Sequence, residues 1–318
     1  MKTRTMFMLW VLTIAALFAA SPSSQAQEKA ATAAVPVTIA VSPSVATDKR
    51  MPEINLEDVV VKQGKQRLQV TEWTPAQGDR AGLNLFILID DASSPRLGSN
   101  LDDLRAFIQA QPSTTSVGVG YMRNAGVQIV QNLTTDHDAA ANAIRLPLGS
   151  AGAYGSPYLS AIDLMKHWPE TQNRREIVMI TDGIDRARRG HHWRGLDSNP
   201  DVDSASRVAI RTGTIIHTIY TPGSGLLHRN YWEATNGQIA MAKLSDITGG
   251  ESFFLGLQNP VSFKPYLDDL QRTLDNRYWL SFVPKPGTKA GLQSVRLSTE
   301  VAGVEFSAPD AVWVPGTK

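Results

Sequence analysis

The chain has no cysteine. Disulfide frameworks, thiolate metal ligands and cysteine nucleophiles are therefore excluded, and stability must come from a packed core. Charge of one sign is missing too: 31 Lys+Arg stand against 30 Asp+Glu, which argues against nucleic acid or an anionic membrane surface as partner. Neither a G-x-S-x-G elbow nor a phosphate loop ending in G-K-[ST] occurs, so the common hydrolase and nucleotide readings lack support. Beyond Ala26 no stretch is apolar enough to span a bilayer.

The segment up to Ala26 stands apart. "MKTRT" supplies two positive charges, "MFMLWVLTIAALFAA" is a 15-residue apolar run, and "SPSSQA" is a polar exit with small Ser24 and Ala26 where a signal peptidase reads. The pattern is that of a signal peptide cleaved after Ala26, which predicts an exported protein, periplasmic or secreted. Cleavage removes Lys2 and Arg4, leaving 29 basic residues against 30 acidic ones, a balance of −1. The remaining 292 residues suffice for one large domain and a smaller appendage.

Residues 27–50 are rich in Ala, Pro, Ser and Thr and read as a linker, with room for one short strand at "VPVTIAV". Residues 51–80 contain two β-like runs around "KQGKQ" and read as a hairpin. From Leu83 to Arg277 strands and helices alternate: "LNLFILID", "SVGVGYMR", "REIVMITDG" and "TIIHTIYT" are strands, separated by helix-period segments. This alternation predicts an α/β fold of the doubly wound, Rossmann-like kind, with a mostly parallel sheet and helices on both faces. Residues 278–318 hold four short β-like runs, expected to form a small β appendage with the 51–80 hairpin.

Ligands of open parallel sheets sit at the carboxyl ends of the strands. Three segments expected there are rich in oxygen: Asp90-Asp91-Ala92-Ser93-Ser94, Gly155-Ser156-Pro157 and Thr181-Asp182-Gly183. Hard cations take such oxygen cages, completed by water. A simpler account makes Ser93, Ser94 and Ser99 helix caps and "TDG" an ordinary turn.

These three segments, in this order, resemble the von Willebrand factor type A domain. The resemblance implies a metal-ion-dependent adhesion site built from Asp90 and Ser94 of an Asp-x-Ser-x-Ser pattern, Ser156 in place of a Thr, and Asp182 of "ITDG". It implies a bound Mg²⁺ (or Mn²⁺ or Ca²⁺) that a partner's carboxylate completes, hence binding without catalysis. Ala92 removes one hydroxyl from the pattern's five ligands, so the site is expected to be degenerate. The alternative register, Asp91-x-Ser93, restores a serine but puts Pro95 at the last position. The flanking β segments are similar to those of secreted bacterial proteins related to this domain.

The expected function is an exported, non-enzymatic binding module for a protein or cell-envelope partner. Two other readings stay open: a metal-dependent hydrolase or phosphotransferase using Asp90 and Asp182, and a structural envelope module with an inert site. Phosphotransfer from an aspartate normally needs a second carboxylate two residues on, and Ala92 stands there. Beyond Asp182, Arg186, Arg188, Arg189 and Trp193 are expected to rim the site and to favour an acidic or aromatic partner. The adjacent His191 and His192 lack the i, i+4 spacing that grips one ion. His217, inside an apolar strand, is expected to be a core histidine.

Overall fold

In the computed structural model, strand β5 (Leu83–Asp90) is buried along its whole length. The structure describes residues 36–45, 51–152, 154–187, 199–224, 230–287 and 289–316, all within one compact unit, Ala34–Lys318. The proposed signal peptide, Arg188, Arg189, Trp193, His191 and His192 lie outside the described residues.

β5 pairs in parallel with β6 (Thr115–Arg123) on one side and β8 (Arg174–Thr181) on the other. The sheet continues through β9 (Thr214–Tyr220) to the short β10 (Ser252–Phe253), both parallel, and ends at β7 (Gly126–Thr134), which pairs antiparallel to β6. A parallel strand covered on both faces has to be apolar throughout, which is why "LFILI" has no polar alternation. Leu85, Ile87 and Ile89 point into a core shared with α1 (Leu101–Gln109), α2 (His137–Asn142) and α6 (Lys264–Asp275). Phe86 and Leu88 point to the other face, against α3 (Pro157–His167), α4 (Pro200–Thr212) and α5 (Tyr231–Thr248). Each such side chain stabilises the fold by about 1.5–3 kcal/mol through burial. The fold is the expected α/β class, a six-stranded, mostly parallel sheet between two helix layers.

Local chemistry fixes the helix ends. Asp136, Ser156, Asn199 and Asn230 each accept a backbone N–H from the first turn that follows them. Gly213 ends α4 at φ +66°, a left-handed cap that carries the chain directly into β9.

The appendage is built from both ends of the chain, as the sequence predicts. β4 (Gln69–Pro75) pairs with β11 (Tyr278–Val283), and β2 (Val59–Gln63) lies between β3 (Gln66–Arg67) and β13 (Arg296–Thr299). β12 (Gly291–Ser294) pairs with β15 (Ala311–Val314). The linker reading of 27–50 needs correction over part of its length. Val37–Val45 is a nine-residue strand, β1, that pairs with β11 through Val41 and with β14 (Val304–Ser307) from Ser42 onward. The short strand expected at "VPVTIAV" is its first half; the second half, paired with the far end of the chain, has no local signature.

Candidate functional site

β5, β8 and β9 all end at the same edge of the sheet, and the loops leaving them interlock. Ser94 N–H donates to Pro222 O at 3.0 Å, Ser224 N–H to Ala92 O at 2.7 Å, and Ser150 N–H to Asp91 O at 2.7 Å. Arg186 N–H donates to Gly155 O at 2.7 Å, joining the turn after β8 to the loop that carries Ser156. The three oxygen-rich segments therefore do meet.

Their side chains divide into two kinds. Asp90 and Asp182 are both buried. Asp90 Oδ1 accepts Ala92 N–H at 2.8 Å and Oδ2 accepts the Thr181 hydroxyl at 2.7 Å. Asp182 Oδ1 accepts Ile184 N–H at 2.9 Å, and the Arg186 guanidinium closes on both of its oxygens at 3.1 and 2.5 Å. Every oxygen of this pair already has a protein donor.

The expected hydroxyl ligands make local bonds. Ser94 Oγ accepts Arg96 N–H at 3.3 Å and caps the 3-10 turn at 95–100. Ser156 Oγ accepts Leu159 N–H at 3.3 Å at the start of α3 and lies beside Asp185. Ser93, the serine of the alternative register, is buried with its hydroxyl unpartnered. Among the described residues no three His, Asp or Glu side chains form a metal-holding group.

Carboxylate is in excess here, and the ionisation behaviour follows from that. Burial, then the neighbouring Asp182 charge, push Asp90 from 3.8 up to about 6, against the pull of Arg186 and two hydrogen bonds. Burial and the adjacent Asp201 push Asp185 up to about 6 as well. Burial opposes the charge of Arg186, but Asp182, with Asp90 and Asp185 behind it, raises its pKa. Burial with Asp182 raises the Tyr220 phenol to about 12.

Residues 87–184, from within β5 to the turn after β8, match the sequence model of the von Willebrand factor type A domain. That segment is a von Willebrand factor type A domain. Among solved structures, an aerotolerance-related membrane protein from Bacteroides fragilis carrying multiple mutations to serines is similar, at 13% identity over 61% of this chain and 99% of that one, with a TM-score of 0.42. BatB from Bacteroides thetaiotaomicron is similar at 13% identity over 60% of this chain and 97% of that one, TM-score 0.42. The SpRpn10 VWA domain is similar at 14% identity over 59% and 93%, TM-score 0.37. No curated protein matches the chain.

Two features of this VWA edge were not legible as such. Arg186, expected on the rim, folds back onto Asp182 with its side chain only 14% exposed, so its charge is engaged inside the protein. Asp91, the second carboxylate of the pair, is gripped by both guanidinium nitrogens of Arg145 at 2.8 and 3.1 Å. Arg145 in turn lies over the Tyr121 ring, 3.6 Å from its centre. This clamp fixes the 143–150 loop, and no local motif links Asp91 to so distant an arginine.

The edge also carries most of the exposed large apolar side chains among the described residues. Leu146, Leu148 and Tyr154 lie in the loop before α3, Tyr231 and Trp232 open α5, and Phe254, Leu255 and Val261 follow β10. Elsewhere among the described residues only Leu56, Ile129 and Trp313 are of this kind.

Proposed function

We propose that the chain is an exported, non-enzymatic interaction module that receives a protein or cell-envelope partner at the carboxyl edge of its VWA sheet. One observation carries the reading: exposed aromatic and aliphatic side chains gather on the loops of that edge. Apolar groups so placed, around a polar centre, are what a partner's surface removes from water. A site-specific photocrosslinker at Trp232 or Leu255, in cells that make the protein, is expected to trap a discrete partner. The same probe at Ile129, on the far edge strand, is expected to trap none. Equal labelling from all three positions would remove the edge from consideration. Export is supported by the charged, apolar and small-residue order between Met1 and Ala26. Mass spectrometry of the envelope-derived protein should accordingly find Gln27 at its amino terminus. No helix among the described residues is long and apolar enough to cross a membrane.

The competing reading, hydrolysis or phosphotransfer at Asp90 and Asp182, has less to support it. Asp90 is buried with both oxygens hydrogen-bonded, and Ala92 offers no proton donor two residues on. Turnover of phosphate or ester substrates that disappears in Asp90→Asn would displace the interaction reading.

A further inference from the structure

A divalent cation of the adhesion-site kind would need oxygens from Asp90, Ser94, Ser156 and Asp182. Those oxygens are otherwise engaged. Asp90 holds Ala92 N–H and Thr181, Ser94 and Ser156 cap the turns that follow them, and Ala92 contributes no hydroxyl. The residues do not fit a hexacoordinate cation as they stand.

Asp182 shows what replaces it. Arg186 stands four residues on, and its two terminal nitrogens meet the two carboxylate oxygens in a parallel fork, the geometry in which guanidinium and carboxylate match best. Its backbone N–H is tied to Gly155 O and its Nη1 donates also to Ile184 O at 3.2 Å, so the side chain is held from three directions. Gly223 approaches from β9, and a Cβ there would overlap both Asp182 Oδ2 and the guanidinium. The pair is thus packed against the loops that would otherwise enclose an ion.

We infer that Arg186 takes the place of the divalent cation, so that this VWA edge carries a permanent, covalently attached positive charge and needs no metal. A guanidinium does not lose its proton in the physiological range. The site is therefore independent of metal supply and of chelators. It also offers no open coordination position, so a partner's carboxylate does not complete it, and recognition falls to the apolar loops around it.

Mn²⁺ titration followed by electron paramagnetic resonance tests this on the full chain. Wild-type protein is expected to leave Mn²⁺ free at millimolar concentration and to melt identically in Mg²⁺ and in chelator. Arg186→Ala is expected to take up Mn²⁺ with affinity at least about tenfold above wild type, and Asp182→Asn in that background to abolish the uptake. Arg186→Gln, which keeps length and hydrogen bonding without the charge, serves if the alanine protein does not fold. Wild-type uptake that Asp182→Asn removes would overturn the inference. So would a folded Arg186→Ala or Arg186→Gln protein that binds no Mn²⁺. The measurement needs no partner, so its outcome is separate from that of the interaction reading.

Discussion

Strand β8 carries a buried carboxylate near its start, Glu176, and another just past its end, Asp182, and the two live under opposite electrostatic conditions. Around Glu176 two guanidinium cations and an imidazole N–H meet a single acid. Arg174 approaches at 3.2 Å, Arg277 at 3.2 Å and His217 Nε2 at 2.8 Å, all within the protein interior. His217 Nδ1 accepts Glu251 N–H at 3.0 Å, so the ring presents its other nitrogen as donor to Glu176. Burial alone would raise Glu176, yet Arg277, His217 and Arg174 together hold it well below the usual carboxylate range. Around Asp182 the acids outnumber the cation, and Asp90 and Asp185 rise to about 6. The first cluster is a closed structural tie, anchoring the start of β11 through Arg277. The second retains the strain of like charges, which is common at functional sites.

Breaking the first cluster should cost most. Glu176→Gln leaves Arg174 and Arg277 buried without a counter-charge, and urea denaturation should report a loss of about 3–5 kcal/mol. An equal or larger loss from Asp182→Asn would dissolve the contrast. Arg186→Ala comes next, at about 2 kcal/mol, because its guanidinium keeps some solvent and a partly exposed pair is worth less than a buried one.

pH dependence sharpens the contrast by sign. Glu176 ionises more readily in the folded chain, so its contribution is complete above its ordinary 4.5 and drains away as pH falls below that value toward the depressed folded one. Asp90 behaves oppositely. Its folded value of about 6 exceeds the ordinary 3.8, so the folded state binds the proton first and gains stability as pH falls through that window. Stability should therefore rise modestly from pH 7 toward 5 and fall below about 4.5, read as urea midpoints. Asp90→Asn should shrink the rise, Asp185 keeping the remainder, and leave the acid-side fall unchanged.

The smallest effect on stability belongs to the rim. Trp232→Ala and Leu255→Ser remove exposed side chains and should shift stability by no more than about 0.5 kcal/mol, while partner crosslinking is lost. A melting change as large as that of Arg186→Ala would mean these groups pack within the fold.

The sequence made the strand ends legible because "LFILID" and "IVMITD" switch from apolar to acidic at the point where a buried strand leaves the sheet. That switch places Asp90 and Asp182 correctly, and the apolar run around it predicts His217 in the core. It says nothing of where the chain goes next. Ser94 has the spacing of a ligand, but the backbone N–H of Arg96 claims it. Arg186 reads as a rim charge, yet the turn after β8 brings it back onto Asp182. Arg145 has no local signature at all. Only the second half of strand β1 was obscured, for a similar reason: Ser42, Pro43 and Ser44 spoil its pattern, and its extent comes from pairing with β14.

That distant pairing bears on how the protein is made. Val37 opposes Phe282, and Ser42 opposes Ser307. At about 5–20 residues per second, β1 leaves the ribosome on the order of 10–50 s before the strands that will hold it. Until then Val41, which ends up fully buried, has no cover. A chain interrupted before β11 would leave β1 without either pairing partner, an unpaired edge of the kind that invites aggregation. The segment from β11 onward is thus what completes the cover of β1.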